Sequence, residues 1–159
     1  MNDQLGKAYV EWSRSRLMNQ YWPRIQKCMD QLSEDDLWWR EHESNNSVAN
    51  LVIHLTGNLE QFVLSAIGGA PDTRNRVQEF AERKRSSKSE LSRRLSDALE
   101  KSDRTLADFD PGRLLAPAKI QDRERPCFEI IAIVVEHFAL HVGQIIYITK
   151  LRTGKELKF

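Results

Sequence analysis

The chain has 159 residues, 40% of them hydrophobic and 30% charged, with a net charge of +1. That length fits one soluble domain, spanning 1–159, with a core that needs no disulfide staples. The near-neutral charge gives no argument for nucleic acid or for a membrane surface as partner. Two cysteines, Cys28 and Cys127, with no CxxC pair exclude a disulfide framework and a zinc ribbon. The first residues, MNDQLGKAYVEW, are charged and aromatic and lack the apolar run of a signal peptide. A cytoplasmic location is therefore expected.

Strand signals are nearly absent and helical spacing dominates. In the first helical stretch Leu17, Tyr21, Ile25, Cys28 and Leu32 recur at steps of three and four. Pro23 lies inside it, so this helix either kinks there or is two pieces. Ser33, followed by acidic residues, marks the N-cap of a short helix near 34–40.

A second long helix should begin at the Ser47 N-cap and run to about Ile67, where Gly68, Gly69 and Pro71 stop it. Val48, Val52, Leu55, Leu59, Phe62 and Ala66 form its apolar stripe. The basic residues Arg83, Lys84, Arg85 and Lys88 read as the solvated start of the next helix. Ser87 with Glu90 three residues on is a capping-box pattern for that helix. Its apolar face is Leu91, Leu95, Ala98, Leu99, Leu106 and Phe109, and Asp110-Pro111-Gly112 ends it. About 15 residues then run to Pro126, which makes that connection a long crossover or a lid. The last helix spans about Cys127 to Leu151, with Gly154 as its stop. Four long helices with apolar faces predict an all-α four-helix bundle.

The last helix carries His137 and His141 in the stretch EHFALHVGQIIYI. Four residues apart, they project from one face about one turn from each other. Their stripe also holds Ile130, Val134, Gln144 and Ile148, on a helix apolar nearly all round and hence buried. Buried imidazoles need partners, because an unpaired buried polar group costs about 1–3 kcal/mol. Hydrogen bonds to neighbours would satisfy them, and so would one shared cation.

On the second helix, His54 lies on a polar stripe with Ser47, Asn50, Asn58 and Gln61. That stripe faces water or lines a polar cavity in the bundle. If the two helices are neighbours, His54 meets His137 and His141. Three protein ligands with an open position is the common pattern of catalytic metal sites. His42 sits in a loop, WWREHESNN, away from where bundle sites are built.

Other chemistries fail on spacing. HExxH needs Glu directly after the first His, but Phe138 follows His137. A ferritin-like di-iron site needs ExxH, but Leu51, Val134 and Phe138 stand three residues before the histidines. No Gly-rich phosphate loop and no GxSxG elbow is present.

The segments SVANLVIHLTGNLEQFVLSAIGGAPDTRNRVQEF and EHFALHVGQIIYITKLRTGKEL resemble the DinB/YfiT-like superfamily, over roughly residues 14 to 157. More narrowly, they resemble a bacterial branch of unknown function. The resemblance implies an up-down-down-up four-helix bundle, often a homodimer. It implies that His54, His137 and His141 hold a divalent metal, commonly nickel or zinc. Some relatives are thiol S-transferases or isomerases that use low-molecular-weight thiols such as bacillithiol or mycothiol.

A small-molecule transferase, isomerase or hydrolase with a three-histidine site is one expectation. The alternatives are a metal-binding bundle without catalysis, with a stress-response or sensor role, and a dimerisation bundle whose histidines are structural. Asn58 and Gln144 are candidates to orient the histidine rings. Arg74 and Arg76 are candidates to receive a substrate or cofactor carboxylate, against an ordinary role as solvated loop arginines. Glu136 points about 100° round the helix from His137 and ranks low as a base. The sequence singles out no catalytic residue.

Overall fold

The structure is a computed structural model that describes residues 2–83 and 86–159. Lys84 and Arg85 of the basic cluster lie outside the described residues. The first helical stretch comprises α1 (Asn2–Ser15), a π-helical segment (Arg16–Tyr21) and α2 (Trp22–Gln31). Then come α3 (Glu34–Trp38), α4 (Val48–Leu59) continued by a π-helical segment (Glu60–Ile67), α5 (Arg76–Ala81) and α6 (Lys88–Ala107). A 3₁₀ turn (Pro111–Arg113), strands β1 (Pro117–Ile120) and β2 (Arg123–Pro126), and α7 (Cys127–Thr153) complete it.

The first stretch stays helical through Pro23, so it is not two pieces. Proline has no N–H, and its ring crowds the carbonyl four residues back. A π turn ends just before it, with the Trp22 N–H bonded to the Leu17 carbonyl. The wider turn takes up the misfit in place of a break. The helix also begins earlier than its apolar stripe suggests, at Asn2.

Caps follow the sequence. Ser33 and Asp36 form a reciprocal capping box at α3. The Ser47 side chain accepts from the Asn50 N–H, and Ser87 accepts from the Glu90 N–H. Gly69 and Gly154 both take positive φ, at 80° and 65°, as left-handed helix ends favour glycine.

Two elements escape the sequence reading. Segment 76–81 is a helix, and part of the 110–126 connection is an antiparallel hairpin pairing Pro117 with Pro126 and Ile120 with Arg123. The hairpin is mostly polar, and its turn residues Gln121-Asp122 lack the glycine that usually announces one. Gln121 takes φ 55° there without glycine.

The core collects the predicted faces. Leu17, Tyr21, Ile25, Cys28 and Leu32 meet Leu55, Leu59, Leu91, Leu95, Leu99, Ile130, Val134 and Phe138, all buried. Phe138 is fully buried and stacks with Tyr21 at 6.5 Å between ring centres. Among the described residues α7 is the one helix long and apolar enough to cross a membrane. Here it packs against α2 and α4 within the bundle.

Helix directions follow from contacts at the ends. The Lys88 N–H, at the start of α6, donates to Glu34, just past the end of α2. Arg14 grips Asp103 near the other end of α6 through two bonds of 2.8 and 3.0 Å. Thr105 abuts Gly68, so α4 and α6 finish at the same end and run parallel. Tyr9 donates to the Phe128 carbonyl and Arg152 pairs with Asp36, so α7 runs with the first helix. The order is up-down-down-up.

Parallel α4 and α6 require the chain to return along α4 between them. Residues 72–82 do this, touching Gln61 first, then His54, then Asn50. The Asn50 amide donates to the Glu79 and Glu82 carbonyls at 2.9 and 3.2 Å, and its oxygen accepts from Arg40 and Ser47. Asn50 is fully buried. Replacing it with Ala strands those groups, each costing about 1–3 kcal/mol. Asn50→Ala should lower unfolding free energy by about 2–3 kcal/mol in urea titration. Leu115→Ala, at a residue 80% exposed, should change it by less than about 0.5 kcal/mol. Equal effects would contradict the anchoring role of Asn50.

Candidate metal centre

The return segment decides which reading of the polar stripe on α4 holds. Ser47, Asn50, His54, Asn58 and Gln61 are all buried, so the stripe does not face water. Helix α7 packs beside α4 and brings His137 and His141 to His54. The three rings lie 4.4 to 5.0 Å apart between centres. One nitrogen from each falls within 4.8 Å of the others. Imidazole nitrogens bind such ions at about 2.0–2.1 Å, which puts donors around one ion about 3–4 Å apart. These three histidines are therefore compatible with metal binding.

The outer nitrogens of two rings are already engaged. Nδ1 of His141 lies 2.6 Å from Oε1 of Gln144, and Nδ1 of His54 lies 2.7 Å from Oε2 of Glu79. Both contacts suit an Nδ1–H donor, which leaves Nε2 with a free lone pair. Nε2 of His54 faces Nε2 of His137 at 2.8 Å, a hydrogen bond whose donor depends on the ring tautomers. The donor set is three imidazoles, with one nitrogen of each turned toward the others.

Burial pushes His137 down to about 3, aided by His141, His54 and the cations Arg74 and Arg76. Burial also lowers His141, against a raising contribution from the bond to Gln144. Both rings are thus neutral at physiological pH, the form that binds metal. Burial raises Glu79, but its bonds to His54 and Arg74 outweigh this and leave it below the usual carboxylate range.

Arg74 is not a solvated loop arginine. Its side chain is 4% exposed and forks onto Glu79, Nε to Oε1 at 2.7 Å and Nη2 to Oε2 at 3.0 Å. Nη1 donates to Gln61 Oε1 at 3.1 Å, and Gln61 in turn donates to Asp72 at 2.8 Å. Arg74 is spent on protein groups. Arg76 is exposed, with its guanidinium 5.2 Å from the Phe80 ring, and Phe80 packs 4.5 Å from His54. Gln144 meets a histidine. Asn58 is buried with an Oδ1 that has no hydrogen-bond partner. His42 and Glu136 are exposed and stand apart from the cluster.

The cover over His54 is the 72–82 segment, while the hairpin reaches the site's edge, where Gln121 donates to Gln61 at 3.2 Å. Glu79 is the residue that sequence reasoning missed. The available signal was Asn75 followed three residues later by Gln78, a capping pattern that places a short helix there. The Asn75 side chain does accept from the Gln78 N–H.

The fold and the three histidines define a DinB-like helical bundle. It aligns with the DinB-like protein YjoA of Bacillus subtilis at TM-score 0.71 and 17% identity, over 93% of this chain and 96% of that one. A DinB-like protein of Bacillus cereus aligns at TM-score 0.67 and 14% identity, over 89% and 91%. No curated protein matches the chain. Residues 4–159 match the family model DUF1572, a protein family of unknown function, and the chain belongs to that family.

The buried neutral rings set a pH dependence for the metal-free protein. His137 titrates near 3 when folded and near 6.5 when unfolded. Between those values the unfolded chain binds more protons, so stability is complete above pH ~6.5 and is lost as pH falls toward 3. The urea midpoint should drop between pH 7 and pH 5. His137→Gln should flatten that slope, and an unchanged slope would contradict the assignment.

Proposed function

We propose that this protein is a metal-dependent enzyme acting on small molecules, of the thiol S-transferase, isomerase or hydrolase type. The observation that carries the reading is the convergence of one nitrogen each from His54, His137 and His141 within 4.8 Å. Zinc or nickel is the ion that suits three imidazoles. A divalent ion there supplies a Lewis acid that lowers the pKa of a coordinated water or thiol toward neutrality.

The chain's own residues do the rest. Gln144 and Glu79 orient two rings through Nδ1. Asn58, buried one turn after His54 with an unused oxygen, is available as a further acceptor. Arg76, with its charge in the mouth of the site, receives an anionic group of the substrate. A groove of about 570 Å³ lined by Trp39, Leu51, Leu140, Gln144 and Tyr147 offers room for a small molecule, and Gln144, which bonds His141, connects it to the centre. A low-molecular-weight thiol is the proposed co-substrate. The cytoplasm and a homodimer are the proposed setting.

Protein purified without an affinity tag should contain about one divalent ion per chain by elemental analysis, and His137→Ala/His141→Ala should contain none. A chelator should then lower the melting temperature of the wild type alone, since an ion that binds only the folded state stabilises it. Absence of metal after incubation with zinc and nickel would sink the reading. Metal without turnover of any thiol and electrophile pair would leave a binding bundle in place of an enzyme.

A further inference from the structure

We propose that Glu79 is the positioning residue of the centre: it accepts Nδ1–H of His54, so fixing the ring tautomer that presents Nε2 to the ion. Gly57 and Arg74 serve to hold that carboxylate in place. This rests on the metal reading above.

The tautomer follows from the hydrogen-bond inventory. A carboxylate clasped by a guanidinium only accepts. The 2.7 Å contact of Glu79 Oε2 with Nδ1 of His54 therefore requires the proton on the ring. Arg74 Nη2, also 3.1 Å from that nitrogen, directs its proton to Oε2 at 3.0 Å instead. In the neutral ring Nε2 of His54 is then bare and free to accept from His137, whose Nε2 lies 2.8 Å away.

Gly57 explains how a carboxylate reaches a ring on the face of a packed helix. A β-carbon at position 57 would lie 2.1 Å from Oε1 of Glu79 and 3.2 Å from Nε of Arg74. Any side chain there displaces the pair. Gly57 sits inside α4, where glycine is a poor helix former. Its φ is not positive, so backbone freedom is not the reason for it. The empty space beside His54 is.

The carboxylate has little room to move. The Glu79 carbonyl is held by Asn50 and its side chain by both arms of Arg74, itself braced by Gln61. An ion pair that merely fastened the return segment would need none of this aim at Nδ1. Asn50 and Phe80 already fasten it.

The test uses the metal-free wild-type chain, Glu79→Gln, Glu79→Ala and Gly57→Ala. Ring nitrogen–proton correlation spectra report the tautomer of His54, and competition with a chelator reports zinc affinity. Wild-type His54 should be protonated at Nδ1 alone. Glu79→Ala should mix the tautomers, and Glu79→Gln should do so less, since its amide oxygen still accepts. Zinc affinity should fall about 10- to 100-fold in Glu79→Ala and in Gly57→Ala. Gly57→Ala is the sharper variant, because it favours the helix and keeps every ionisable group. Wild-type His54 protonated at Nε2, or zinc affinity in both variants within about twofold of wild type, overturns the proposal. A wild type that takes up no zinc defeats the metal reading, and the proposal with it. The ring spectra would then show whether Glu79 sets a tautomer that no ion uses.

Discussion

Helices α4 and α6 run in the same direction, so the chain leaving α4 must travel back along it before α6 can begin. That constraint shapes the centre. The returning residues, 72–82, lie along the polar stripe of α4 and remove it from water. Each polar group on the stripe then needs a protein partner, because buried unpaired donors and acceptors are costly. Asn50 takes the carbonyls of the return segment, Gln61 takes Asp72 and Arg74, and His54 takes Glu79. One piece of chain thus closes the fold and completes the surroundings of a histidine.

The same burial sets the chemistry. Burial holds His137 and His141 neutral, His137 pushed down to about 3. Neutral rings with oriented outer nitrogens are prepared for a cation and poorly prepared for a proton. Among the described residues Glu79 is the carboxylate in hydrogen-bond contact with the cluster, and it is matched by Arg74, so the charge of a bound ion would stay largely uncompensated by its ligands. An ion in that setting polarises what it binds more strongly than one ringed by carboxylates. The buried Arg74–Glu79 pair is weak evidence for stability, since desolvation offsets much of the attraction. Its aim at His54 is what gives it a role.

Much of this was legible in the chain. The apolar stripes of the first three long helices predicted the core, whereas α7, read as buried because it is apolar nearly all round, leaves Leu140, Tyr147 and Leu151 exposed. Ser33, Ser47 and Ser87 marked helix starts, and Gly69 and Gly154 marked stops, because caps are local chemistry. The HxxxH spacing and His54 pointed to one cluster, given neighbouring helices. What could not be read was long-range. Arg74 and Glu79 stand only five residues apart, but that both fit against Gly57 on another helix is not written near either of them. The polar stripe on α4 was ambiguous because its burial depends on a connection whose path is set by helix direction. The 110–126 segment was read as a long crossover or a lid, whereas the connection after α4 is the one that covers His54. Pro23 was read as a kink or a break, and a π turn just before it keeps the helix continuous.

The central claim is that His54, His137 and His141 ligate one ion together. X-ray absorption at the zinc edge of the zinc-loaded protein tests it most directly. The account predicts scattering from three imidazole rings, with nitrogens at about 2.0–2.1 Å and one remaining light-atom position. Sulfur at about 2.3 Å, or the signature of a single imidazole, would contradict it.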